Sequence, residues 1–142
     1  MIDQHILLTV DALVFTKGTD GWQLLLVRRK NEPSKGMWAF PGGFVEDDEE
    51  LEAAAIRELH EETGLQLTSM TQLHTFGKVG RDPRGRTVSV VYYSFTNDAH
   101  KVEGADDAAE AAWINIKDIT ALAFDHMDVL TLALDVLKGR MS

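Results

Sequence analysis

Residues 42–65 read GGFVEDDEELEAAAIRELHEETGL, and the reading of this stretch decides the rest of the chain. Acidic residues crowd it, and Gly64 closes it as a helix stop. The spacing predicts a helix over 48–63, with acidic residues in the first turn, where the helix dipole favours them. On a wheel at about 100° per residue, Leu51, Ala54 and Ala55 form a narrow apolar stripe. Glu58 and Glu62 fall on that stripe one and two turns later, and Glu61 lies near its edge. Like charges at i,i+4 repel, and inward-turned carboxylates are costly unless they are paired or bind a metal. A solvated face is the ordinary reading of a glutamate-rich helix, but the wheel argues against it. A hard cation such as Mg²⁺ takes carboxylate and phosphate oxygens, and the Gly42-Gly43 turn lets backbone approach such a site closely.

Outward from the helix, the chain alternates strand and turn signals. Ile6–Phe15 and the apolar run Trp22–Arg28 are expected to pair as a hairpin across the turn residues 17–21. Residues 31–36 read as a loop, 37–40 as a short extended piece, and Pro41-Gly42-Gly43 as a turn. Beyond the helix, strands are expected over 65–78, 87–96 and 111–116, with a turn-rich loop at 80–86 (GRDPRGR). The run 87–96 (TVSVVYYSFT) is β-branched and aromatic. Apolar residues at Phe124, Met127, Leu130, Leu134 and Leu137 predict a last helix over 124–138. The order β-β-α-β-β-β-α implies an α/β fold, a mixed sheet with helices packed on it.

The chain has 142 residues and no repeat or linker, so one domain over 1–142 is expected. No apolar run reaches the roughly 20 residues of a membrane-spanning helix, and the N-terminus reads as a first strand, not a signal peptide. The absence of cysteine excludes thiolate metal sites and cysteine nucleophiles and suits a reducing, cytoplasmic setting. A net charge of −9 argues against a nucleic-acid partner. Eight of the fourteen basic residues nevertheless cluster, as Arg28, Arg29, Lys30 and Lys35, and as Lys78, Arg81, Arg84 and Arg86. Local positive charge on an acidic protein suits a small anionic ligand.

Gly43, five residues, Glu49, seven residues, then Arg57-Glu58-Leu59-His60-Glu61-Glu62-Thr63-Gly64-Leu65 resembles the Nudix box, G-x5-E-x7-R-E-U-x-E-E-x-G-U, with every defined position filled. The strands and helix on either side resemble the same family, so the likeness covers the whole length. It implies a Nudix-type α/β/α sandwich and a loop–helix–loop that binds Mg²⁺ or Mn²⁺ against a substrate diphosphate. It implies Glu58, Glu61, Glu62 and the Gly42 carbonyl as metal ligands, with Arg57 and Glu49 bracing the loop. The implied reaction is attack of water on a nucleoside diphosphate derivative.

Other segments bear on the substrate. WAFPGGF at 38–44, GRDPRGR at 80–86 and FDH at 124–126 resemble the ADP-ribose pyrophosphatase branch, which implies AMP and ribose 5-phosphate as products and a homodimer. Arg81, Arg84 and Arg86 are then expected to grip the ligand as rigid forks; otherwise they are a solvated basic turn. Trp38 and Phe40 are read as a stacking pair for adenine or as core, and Arg28 as a phosphate contact or a solvated strand end. Among Asp106, Asp107 and Glu110, Glu110 is the preferred extra acid, a base or further metal ligand. His126 reads as structural. Two alternatives remain. One is a pyrophosphatase for oxidised nucleoside triphosphates. The other is an ADP-ribose-sensing regulator, which usually carries a further C-terminal DNA-binding domain and often loses box acids. This chain ends at Ser142 and keeps every acid, so the hydrolase is expected.

Overall fold

The structure, a computed structural model, describes residues 2–105 and 108–142. Seven strands and two α-helices appear among them: β1 Leu7–Gly18, β2 Gly21–Arg29, β3 Trp38–Ala39, β4 Gly42–Phe44, α1 Leu51–Thr63, β5 Thr71–Phe76, β6 Thr87–Thr96, β7 Ala108–Asn115 and α2 His126–Leu137. The strands form one mixed sheet in the order β3-β2-β1-β6-β5, with β4 also on β1 and β7 also on β2. β1 pairs parallel with β6 from Leu7↔Thr87 to Thr16↔Thr96. Its other edge is shared: Thr9–Asp11 faces β4, and Phe15–Gly18 faces β2. The long strand thus carries Gly42 and Gly43 of the opening stretch on its first half.

Alternation along β1 and β6 sorts the core into two layers. Val10, Ala12, Val14, Val90 and Tyr92 pack against Ala54, Ala55 and Leu59 of α1. Leu13, Phe15 and Val91 turn the other way, against Val129, Leu130, Ala133 and Leu137 of α2. The expected α/β/α sandwich is therefore the observed one. Among the described residues no helix is long and apolar enough to cross a membrane.

Several boundaries differ from the sequence reading. α1 starts at Leu51, not 48, because Glu49 folds back to accept from the Glu46 N–H and from Arg57. β5 spans only 71–76; residues 65–70 instead run back along α1, with Leu65 and Met70 buried and the Met70 N–H donating to Glu52 in its first turn. Gly42 and Gly43, read with Pro41 as a turn, lie with Phe44 in a strand on β1. The hairpin turn shrinks because both strands run on to Gly18 and Gly21. β7 starts at Ala108, not 111, because β2 extends its pairing to Arg29↔Ala108. α2 starts at His126, because Phe124 has a left-handed φ of 53° and cannot continue a helix.

Candidate active site

Arg57 answers the question of what holds the crowded carboxylates. Its Nε donates to Glu49 Oε2 at 2.6 Å and its Nη2 to Glu49 Oε1 at 2.9 Å. Its Nη1 donates to Glu58 at 2.8 Å and Glu61 at 3.1 Å, and Nη2 reaches the Phe44 carbonyl. One guanidinium therefore ties the loop before α1 to the helix itself, with the planar fork that such multiple contacts need. The Arg57 hydrogen bonds hold Glu49 below the ordinary carboxylate range.

The inward face of α1 is where the wheel puts it. The Glu62 residue is buried, and the Glu58 side chain is 14% exposed. The Glu62 carboxyl lies beside that of Glu58, and its Oε1 accepts from the Gly42 N–H at 3.2 Å. Burial first, then the Glu58 charge, pushes Glu62 up to about 9; burial likewise raises Glu58 against the opposing pull of Arg57. A Cβ at Gly43 would lie 2.6 Å from the Glu58 carboxyl, so only glycine lets the strand pass this close.

Among the described residues no three acidic or imidazole side chains converge into a ready cage. The donor set is smaller: the two inward carboxyls of Glu58 and Glu62. That set fits Mg²⁺ or a similar hard cation, which is commonly held by one or two carboxylates plus substrate phosphates. Glu61 lies at the edge, with its side chain 41% exposed and paired to Arg57.

These carboxyls form one side of a cleft of about 510 Å³. Arg29, Arg81 and Arg84 line it as well, together with Phe40, Phe44 and Phe124. Asp11 and His126 also lie on its surface. Asp11 accepts from Ser89 Oγ at 2.6 Å, and its burial pushes it up to about 6 despite that bond. His126 stacks on Phe40 with centroids 4.4 Å apart, and its Nδ1 accepts from the Phe40 N–H. Burial pushes His126 down to about 3, so it is neutral at physiological pH.

The residues singled out from the sequence divide. Glu58, Glu62, Arg57, Gly42, Phe40, Arg81 and Arg84 line the cleft. Arg81 is not a free fork, however: its side chain is 4% exposed and bound to both Asp125 oxygens, at 2.7 and 2.9 Å. Arg84 is tied to Asp82, whose own burial is more than offset by that cation, leaving Asp82 below its ordinary range. Arg86 lies outside the cleft lining, donating to the Gly77 carbonyl. Arg28 and Glu110 also lie outside it, because β2 and β7 put them opposite one another and they pair at 2.8 Å. Trp38 packs with the α2 core cluster and carries the Arg28 guanidinium over its ring. Asp106 and Asp107 fall outside the described residues. Sequence reasoning missed Asp11, Phe44 and Phe124. Asp11 had one signal, a lone acid within an apolar strand.

Comparison with known proteins agrees with this geometry. The model of the NUDIX domain family matches residues 6–132. An ADP-ribose pyrophosphatase of Methanocaldococcus jannaschii is 40% identical over 108 residues, covering 76% of this chain and 63% of the relative. An ADPR responsive transcriptional repressor, NtrR, of Acinetobacter baylyi is 36% identical over 138 residues, covering 94% of this chain and 55% of the relative. The chain thus spans less than two-thirds of either relative. The NUDIX domain of Shewanella oneidensis NrtR, solved with ADP ribose, superposes with a TM-score of 0.88 at 34% identity, covering 95% of this chain and 90% of that one.

Proposed function

This chain belongs to the Nudix family, and from that premise we propose that it is a single-domain, divalent-cation-dependent hydrolase of nucleoside diphosphate derivatives. ADP-ribose is the substrate, and AMP and ribose 5-phosphate are the products. The observation that carries the reading is one cleft in which the inward Glu58–Glu62 pair faces Arg29, Arg81 and Arg84. Carboxyls that want a cation sit there beside cations that attract phosphate.

In this reading Glu58, Glu62, Glu61 and the Gly42 carbonyl hold Mg²⁺ or Mn²⁺, and Arg57 with Glu49 keeps the acids in place. The bound cation supplies charge neutralisation on the diphosphate and a more acidic water. The chain's own part is to fix the donors before the substrate arrives, so that no reorganisation is needed during the reaction. The ADP-ribose choice is supported by the two relatives and by the ligand of the superposed structure. Homodimer formation and a cytoplasmic setting complete the proposal, the first supported by the branch resemblance and the second by the lack of cysteine.

The test is ADP-ribose with Mg²⁺ or Mn²⁺, products separated by chromatography, against oxidised dGTP as competitor. AMP and ribose 5-phosphate should form and should cease with excess EDTA. Cleavage that survives the chelator, or preference for the triphosphate, overturns the reading. The repressor relative, matched along 94% of this chain, favours a second reading as an ADP-ribose sensor. Binding of ADP-ribose with no cleavage, whatever metal is supplied, would select it.

A further inference from the structure

Two aromatic rings and two guanidiniums, Phe44, Phe124, Arg29 and Arg84, meet in the lining of the cleft. Phe44, on β4 beside the box, is 43% exposed, although large apolar side chains normally bury. Phe124, just before α2, is half-buried and holds its left-handed φ of 53°. Bulky residues rarely adopt that conformation, and such outliers gather at binding sites. The Arg84 guanidinium lies over both rings, its central carbon 5.2 Å from each centroid, and the Arg29 guanidinium lies over Phe124 as well, at 4.9 Å. Asp82 steadies that guanidinium with a 2.7 Å bond from Nη2.

A flat cation that lies over two rings at once marks a place where another flat group can stack. Aromatic partners stack at centroid separations of about 4.5–7 Å, so a heterocycle in the place of the guanidinium reaches both rings. We propose that Phe44 and Phe124 are the two walls of a stacking site for the base of the nucleotide, and that Arg84 fills it until the base displaces it. This deepens the proposed function and rests on it for the identity of the ligand. It also replaces Trp38 and Phe40 as the stacking pair, since Trp38 lies outside the cleft lining and Phe40 is itself buried, stacked on His126.

AMP and ribose 5-phosphate make the test, because they differ only by the base. Calorimetric titration of both into the wild-type chain with Mg²⁺ should give tighter binding of AMP. In F44A and in F124A the AMP affinity should fall about tenfold or more, while that for ribose 5-phosphate stays within twofold. F44A removes an exposed ring and leaves the fold intact; the melting temperature of F124A, with F124L beside it, checks that its loss is not unfolding. R84A should keep or raise the ratio of AMP to ribose 5-phosphate affinity, because the competitor for the slot has gone. An unchanged ratio in F44A and F124L, or a wild-type chain with no preference for AMP, overturns the slot. A ratio that collapses in R84A overturns it too, by making the guanidinium the base's partner. A wild-type chain that prefers AMP yet leaves ADP-ribose uncleaved overturns the hydrolase reading and keeps the slot.

Discussion

Arg57 hydrogen-bonds Glu49, Glu58 and Glu61 and pairs more loosely with Glu46, so the acids of the motif differ in what holds them. Glu49 and Glu61 are neutralised by the guanidinium, whereas among the described residues the Glu62 carboxyl meets the Gly42 N–H and the Glu58 carboxyl. Glu62→Gln retains an oxygen for the Gly42 N–H and removes the repulsion, so its stability should equal or exceed that of the parent. Its kcat should fall by about 10²–10³-fold or more, the scale of losing one preorganised electrostatic contact; Glu58→Gln should behave alike. Steady-state kinetics beside thermal melts checks both, and near-parental turnover would remove these acids from the metal site. The loop arginines should separate as sharply. Arg81→Ala strands Asp125 with 18% of its side chain exposed and should cost about 3 kcal/mol, the lower end for breaking a buried pair. Arg86→Ala loses one bond at the surface and should cost under about 1.5 kcal/mol, with kcat/KM unchanged. Urea titrations and kinetics on the two variants read this difference directly.

At the level of elements, the signals that were legible are those with a long period or an unusual residue. β6 has the bounds that its β-branched run predicts, and the inward drift of Glu58 and Glu62 could be read from the wheel. What could not be read depends on contacts between distant segments. No local pattern says that Gly42–Phe44 pairs with β1, that Arg28 meets Glu110 across β2 and β7, or that Phe44 and Phe124 face one guanidinium. The three loop arginines look equivalent in sequence, yet one is buried, one lies over two rings and one points away. The stop of α1 was legible because Gly64 has a φ of 81°, with its N–H donating to His60. Nothing lies within 4 Å of where a Cβ would sit, so Gly64→Ala carries a conformational cost alone, about 1 kcal/mol. Chemical denaturation should show that value, and a loss beyond about 3 kcal/mol would mean that the cap supports more than its own helix.

For the whole molecule, three buried groups set how stability follows pH without metal. Glu62 is raised from 4.5 to about 9 when folded, so its contribution is complete below pH 4.5 and is lost as pH rises towards 9. Asp11, raised from 3.8 to about 6, acts in the same direction over that lower range. His126, lowered from 6.5 to about 3, acts oppositely: its contribution is present above 6.5 and is lost as pH falls towards 3. The terms oppose one another between about pH 4 and 6.5, and above 6.5 Glu62 stands alone among the three. The melting temperature of the metal-free chain should therefore fall from pH 7 to 9. Mg²⁺ should restore it, more at pH 8.5 than at pH 6, because a cation needs the proton gone. Equal metal stabilisation at both values would separate Glu62 from the metal.

β1 and β6 join residues 7–16 to residues 87–96, and the glycines beside Glu58 and Glu62 are attached to that same first strand. The pairing closes a loop of about eighty residues, and contacts so remote in sequence form late, after the entropy of closure has been met. On a ribosome, the box helix is synthesised well before the strand that completes the central ladder. Until that strand arrives, β1 has lost its longest partner, and its apolar residues are open to other chains. The vulnerable period in this protein's synthesis is thus set by the distance between two strands, and a chaperone would serve it best between the emergence of residue 65 and that of residue 96.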